Sequence, residues 1–305
     1  LSPQTTTFDP KILWDQYENR WVVVTLEKGT SPSNFSKIFL AVSATSDPTG
    51  TWYFQAVDAQ QSIGGNDCWF DYPGFAIDEE AIYVTGNYFQ HSGTSCSSSQ
   101  VLIVDKGTSG GFYAGVVLAN DDPAASGGAF TFYDPTDIVG NGFDLTMQPA
   151  HGFGTMPAAL GTYLVSYSGL HSGGTELVQI ISISNPLSSP SFSHFYEIIA
   201  DIENPSASIP DIPQSGNANL IEGNDRRSLN AQWKNDALWV CFNILPASGA
   251  NAGDVTSYYV KLNATGANAS DVSPVIFGEI GGEDIGTNVE TWNPAICIGN
   301  NDNAA

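Results

Sequence analysis

One phrase recurs along this chain: a short apolar strand, a polar turn, and a second strand rich in aromatic and β-branched residues. Recurrence of this kind restricts the fold more than any single motif does. The phrase runs over Ile12–Val24, Phe75–Thr85, a shorter copy at Pro157–Ser166, and Asn230–Val240, and begins again at Pro294–Ile298. Each full copy is followed by a second hairpin. These lie at Lys37–Val57 around Ser46-Asp47-Pro48-Thr49-Gly50, at Gln100–Leu118 around Lys106-Gly107-Thr108-Ser109-Gly110-Gly111, at Glu176–Ile199 around Ser184-Asn185-Pro186, and at Ser257–Ile280 around an Asn/Ala/Gly-rich turn.

Two hairpins per repeat give a four-stranded antiparallel sheet, and regular repetition of such a sheet predicts an all-β chain built as a β-propeller. No blade can bury both its faces alone, so neighbouring blades must stack face to face. Sustained helical periodicity is absent, and Gly, Pro, Ser, Asn and Asp punctuate every few residues. The expected organisation is one domain over 1–305, with blades at 8–58, 68–121, 147–200 and 225–282 and a partial blade at 290–305. That amounts to about four and a half blades. Gly299-Asn300-Asn301-Asp302-Asn303 reads as the turn of a first hairpin, so the fifth repeat is expected to be incomplete. The alternative is a complete five-bladed ring closed by Leu1–Thr7.

Charge excludes one class of partner. With 32 acidic and 9 basic residues the formal net charge is −23, and no basic footprint is present to neutralise nucleic-acid phosphates. An acidic surface of this kind stays hydrated in salt and attracts divalent cations. An apolar share of 42% with 11% aromatic residues is ample for a packed core and argues against disorder. No run approaches the roughly 18 apolar residues of a membrane span, and the first residues lack a signal peptide's basic and apolar regions.

Four cysteines remain to be placed. Their positions predict Cys68 with Cys96 and Cys241 with Cys297, among the alternative connectivities. Structural zinc is disfavoured because no two cysteines are closely spaced. Sequons stand at Asn34, Asn263 and Asn268.

The chain resembles a group of secreted bacterial-type β-propeller proteins. The likeness rests on Asp9-Pro10 followed by Trp14-Asp15-Gln16-Tyr17 and Arg20-Trp21, on Ser46-Asp47-Pro48-Thr49-Gly50 before Trp52, and on Asp71-Tyr72-Pro73. It continues through Gln148-Pro149-Ala150-His151, Ser184-Asn185-Pro186-Leu187, and Asp225-Arg226-Arg227 before Leu229-Asn230-Ala231 and Leu238-Trp239. The resemblance implies a seven-bladed ring when whole and an extracellular or cell-surface setting, and it carries no catalytic residues. The third blade departs from the pattern, with a shortened first hairpin and a long insertion from Asn120 to Thr146 ahead of it.

Each blade is preceded by a polar segment, and in a propeller these segments converge around the axis at one face. The expected binding ring is Asp71, Tyr72, His151, Asp225, Arg226 and Asn293. Its functional reading is a funnel for a glycan, with aromatics stacking on sugar rings and Asp, Asn and Arg meeting hydroxyls or carboxylates. The competing reading is structural: Asp9, Asp71 and Asp225 cap turns, and Arg226 or Arg227 pairs with one of them. The acidic insertion offers Asp121, Asp122, Asp134 and Asp137 to Ca²⁺, but without the ordered spacing of a calcium loop, so a solvated loop competes.

For catalysis, His151, His171 and Arg226 are the candidates. An arginine neutralising a uronate while His or Tyr moves protons would make a polysaccharide lyase, a reading placed ahead of a glycoside hydrolase with paired carboxylates. Motifs for serine nucleophiles or nucleotides are missing. The resulting expectation is a binding or assembly module for glycans or a protein partner, able to join a larger surface structure, with a polysaccharide-active enzyme as the alternative.

Overall fold

A computed structural model describes residues 3–116, 130–140 and 146–299. The described residues are all-β, 54% strand against 4% helix, in curled antiparallel sheets. The first sheet is a meander of β1 (Thr7–Asp15), β2 (Arg20–Gly29), β3 (Phe35–Ser43) and β4 (Trp52–Asp58). The second contains β5 (Gln61–Ile63), β6 (Asn66–Ile77), β7 (Ala81–Gln90), β8 (Ser95–Asp105) and β9 (Phe130–Tyr133). A third group holds β10 (Gln148–Phe153), β11 (Leu160–Ser166), β12 (His171–Ser172), β13 (Thr175–Ser184) and β14 (Ser191–Ala200). After a small hairpin of β15 (Ile212–Gln214) and β16 (Asn217–Ile221), the last group is β17 (Ser228–Lys234), β18 (Ala237–Ile244), β19 (Thr256–Ala264) and β20 (Val272–Ile280).

Local chemistry accounts for the hairpins. Asp15 Oδ1 accepts the backbone N–H groups of Tyr17 and Glu18, and Asp78 Oδ1 accepts those of Glu80 and Ala81, so each carboxylate builds the turn that follows it. Between β17 and β18 the two turn residues Asn235 and Asp236 both have positive φ, 48° and 62°, the backbone of a tight hairpin turn.

Strand alternation then builds the core. On β7, Ile82 and Val84 enter the apolar cluster shared with the first sheet, whose members include Val22, Val24, Leu26 and Leu40. Ala81 and Tyr83, on the opposite face, join Leu164, Ile181 and Ile183 of the third group. Val165, Val178 and Ile180 in turn pack with Val240, Phe242 and Val260 of the fourth. Each sheet is thus glued to the next across its face, and each fully buried Val, Leu or Ile contributes about 1.5–3 kcal/mol. The leading strands are neighbours in chain order: β6 touches both β1 and β10. β10 pairs with β17 in parallel, Ala150 opposite Ala231 and Phe153 opposite Lys234.

Three departures from the sequence reading follow from this packing. The third and fourth groups are not separate four-stranded sheets, because the parallel β10–β17 ladder joins them into one nine-stranded sheet. In the second sheet the strand beside β8 is Phe130–Tyr133, not the segment after the Gly107–Gly111 turn. Phe112 and Tyr113 sit instead in a short 3₁₀ turn, buried in the core, with the Tyr113 hydroxyl donating to Asp15 Oδ2 at 2.8 Å. Finally, Cys68 and Cys96 are disulfide-bonded, but Cys241 and Cys297 are both free. Ile296 and Ile298 pack against buried Cys241, and alternation along this extended segment turns the intervening Cys297 outward.

Candidate functional site

The segments leading into the first strands share a backbone device. Asp9, Tyr72 and Asn293 each precede a proline, and each has positive φ, at 48°, 56° and 58°. In β1 the register with β2 shifts between Phe8 and Lys11, and in β6 the register with β7 shifts between Asp71 and Gly74. Such bulges re-aim side chains, and non-glycine residues held at positive φ concentrate at functional sites. Thr146, just before β10, and Asn224, before Asp225, also have positive φ, 59° and 61°.

The segments at β1, β6, β10 and β17, but not the one at Asn293, line a cavity of about 400 Å³. β1 contributes Asp9, Pro10 and Lys11, and β6 contributes Tyr72 and Pro73. Thr146 and Gln148 line it at the head of β10, with Arg227 and Leu229 at β17. Arg227 is the best-defined group. Its Nε and Nη2 donate to the two carboxylate oxygens of Asp225, Nη2 also reaches Asn224 Oδ1 at 3.3 Å, and the guanidinium carbon lies 3.9 Å from the centre of the Tyr72 ring. Nη1 is buried away from solvent with no acceptor in good hydrogen-bond geometry among the described residues; burial works against the Arg227 charge, while Asp225 and the Tyr72 side chain favour it. Burial lowers the pKa of the Lys11 ammonium, against the attraction of Asp9. Burial likewise raises the Asp71 carboxyl to about 6 despite its bond from the Tyr72 N–H; Asp9 adds to the rise, while Lys28 and Arg227 oppose it.

Of the expected ring, the structure brings Tyr72 to this cavity, with Asp225 holding the arginine that lines it. The arginine is Arg227 and not Arg226. Arg226 is buried, with Nε on Glu203 Oε2 and Nη2 on the Asn204 carbonyl at 3.0 Å. Glu203 also accepts the Tyr167 hydroxyl and, at 2.8 Å, the Leu245 N–H, so this ion pair ties loops together. Asp71 Oδ1 accepts the Tyr72 N–H at 2.9 Å, and the Asn293 N–H donates to Asn243 Oδ1 at 2.9 Å.

His151 lies further along β10, 3% exposed, where Nδ1 accepts the Ile77 N–H at 3.2 Å. Its pKa falls to about 4 through burial, which the Asp15 charge opposes and the Lys106 charge assists to a smaller extent. His171 stands exposed on β12 with Nδ1 3.2 Å from the Gly173 carbonyl oxygen. His151, His171 and Arg226 therefore have separate partners and share no contact among the described residues.

The proposed calcium ligands divide. Asp121 and Asp122 lie outside the described residues. Asp134 caps the one-turn helix α1 (Pro135–Ile138), accepting the Asp137 N–H, and its other oxygen accepts the Ser98 hydroxyl at 2.7 Å. No group of three or more metal-ligating side chains occurs among the described residues. Nor is any helix there long and apolar enough to cross a membrane.

Sequence reasoning missed Lys11, Gln148 and Arg227 as cavity residues. A signal for Lys11 was available, since Asp9-Pro10 and Tyr72-Pro73 occupy matching positions and Lys11 follows the first. Choosing between adjacent arginines needed the backbone, because consecutive residues in extended chain point opposite ways.

No protein family matches the chain, and no curated protein matches it.

Proposed function

We propose that this chain is an extracellular β-propeller that works as a binding module, with a glycan seated in the cavity ringed by β1, β6, β10 and β17. The propeller reading is supported by meanders stacked face to face through successive apolar clusters, with their leading strands side by side in chain order. The Cys68–Cys96 disulfide fits an oxidising setting.

The single observation that carries the ligand-binding reading is the repeated left-handed residue before proline, which turns Asp9 and Tyr72 onto one cavity with Arg227. The cavity size is that of small-molecule sites, and it combines an aromatic ring with donors and acceptors, the mixture that sugars require. Binding is favoured over lyase chemistry because His151 and Arg226 are committed to Ile77 and Glu203. A second reading, assembly into a larger surface structure, draws on the outer face of the first sheet, where Ile12 and Phe54 are 56% and 46% exposed beside half-buried Trp14, Trp21 and Trp52.

The test is a glycan array carrying neutral and acidic oligosaccharides, run on the wild type and on Tyr72→Asn, with absorbance of unsaturated sugar ends followed in parallel. Asparagine tolerates the left-handed backbone at 72 while removing the ring. Retention that is lost in the variant, without new absorbance, is the expected result. Turnover would favour the lyase, and silence in both channels would shift the assignment to assembly.

A further inference from the structure

Beyond the C-terminal ends of β1 and β6, away from Asp9 and Tyr72, lie two adjoining cavities of about 510 and 560 Å³. They are bordered by the turns that follow β1, β6, β8, β10 and β13, and both are lined by Glu79, Glu80 and Leu187. We propose that together they form a groove that docks a protein partner through a peptide segment carrying basic side chains beside apolar ones.

One wall of the groove is apolar. Met156, Leu160 and Pro186 line the first cavity, and Leu187, 37% exposed, stands where the two meet. This wall is held in place before any partner arrives. The Asn185 N–H donates to the Ala159 carbonyl at 2.8 Å, and the Met156 N–H donates to the Glu79 carboxylate, so three turns brace one another. A Cβ on Gly161 would lie 2.8 Å from Pro186 Cγ, so the proline settles into the floor only because that position is glycine. A pre-formed apolar surface binds without the cost of ordering it.

The other wall carries charge of one sign. Glu79 and Glu80 are exposed, and Glu18 and Asp105 line the second cavity half-buried. Among the described residues, the one cation lining either cavity is Lys106, and its charge is spent inside the protein. It is 1% exposed, its Nζ pairs with Asp15 Oδ2 at 2.8 Å, and it donates to the Asp78 and Glu79 carbonyls. Partial burial raises the pKa of the Glu79 carboxyl and the Glu80 charge adds to the rise, against the Met156 N–H and Lys106. A cation entering the groove relieves that repulsion.

Charge complementarity then selects the occupant. Low-dielectric walls focus the field of like charges in a cleft, which sets this groove apart from the acidity of the surface at large. A Lys or Arg side chain meets Glu18, Glu80 and Asp105 while a neighbouring apolar side chain seats against Met156 and Leu187. A divalent ion or a polyamine would satisfy the carboxylates and leave the apolar wall bare; a basic, partly apolar peptide covers both. No residue lines both this groove and the cavity at Tyr72, so the two seats stand or fall separately.

The experiment pans a random heptapeptide library on the full chain and measures the Kd of the recovered peptides by fluorescence anisotropy, with Ca²⁺ and spermidine titrated alongside. Recovered peptides should carry Lys or Arg next to Leu, Ile or Phe. Glu79→Gln combined with Glu80→Gln should weaken them by about tenfold with an unchanged thermal midpoint, and Leu187→Ser by a similar factor. Glu222→Gln combined with Asp284→Asn makes the same charge change at exposed positions outside the groove, and should alter affinity by less than about twofold. An empty selection, peptides without basic residues, or equal losses in the groove and control variants would overturn the proposal. Ca²⁺ or spermidine binding as tightly as the peptides, with the same dependence on Glu79 and Glu80, would overturn it too and make the groove a seat for small cations.

Discussion

His151 shows how much one side chain's surroundings decide. Loop histidines are ordinarily solvated and titrate near neutrality, but this one is buried on β10 as the acceptor for the Ile77 N–H. The folded-state pKa of about 4 lies below the ordinary value of 6.5, so the unfolded chain takes up the proton first. Stability tied to this group is present above about pH 6.5 and is lost as pH falls toward 4, a change of about 3 kcal/mol. In His151→Asn the amide oxygen can accept the same N–H and does not titrate. Urea unfolding of both proteins at pH 7 and pH 4 should show the variant gaining on the wild type by that amount. Asp71 and Asp78, whose carboxyls burial raises to about 6, act with the opposite sign but are common to both proteins. A pH-independent difference would mean that His151 is not held neutral by burial.

The contact between leading strands depends on a residue without a side chain. A Cβ on Gly74 would lie 2.2 Å from Thr85 Oγ1 and 2.6 Å from Pro149 Cδ, so β10 can rest against β6 only because position 74 is glycine. Gly74 also closes the register shift that begins at Asp71, which places it directly behind the Tyr72-Pro73 bulge. Gly74→Ala should therefore cost about 1–3 kcal/mol by overpacking, read as a lower urea midpoint, and should widen the cavity mouth enough to weaken ligand binding. An unaltered midpoint would show that the two strands can separate freely. The hairpins behave differently, since Asp15 and Asp78 settle their turns from within a few residues of chain. That is why the hairpins were legible in the sequence and the strand-to-strand packing was not.

At the scale of the whole molecule, a formal charge of −23 must be carried on one compact body. Self-repulsion then opposes folding, and salt relieves it. The thermal midpoint should rise as NaCl is added from low ionic strength to about 0.15 M, where screening acts beyond roughly 8 Å; a midpoint that falls would show that attractive pairs reaching solvent, such as Arg227–Asp225, dominate instead. Period-two alternation of apolar residues and turn chemistry at Asp15, Asp78 and Asn235-Asp236 were present in the amino-acid order, because each depends on neighbours a few residues apart. So was the Cys68–Cys96 pair, which lies in one sheet. Tertiary structure alone decided that Arg227 and not Arg226 faces the cavity, that Cys297 turns away from Cys241, that Phe112 and Tyr113 fill the core while Phe130–Tyr133 takes the strand position, and that β10 and β17 join in parallel. Each of these is a choice between two faces or two partners of equal local preference, and only the packing of residues distant in sequence breaks the tie.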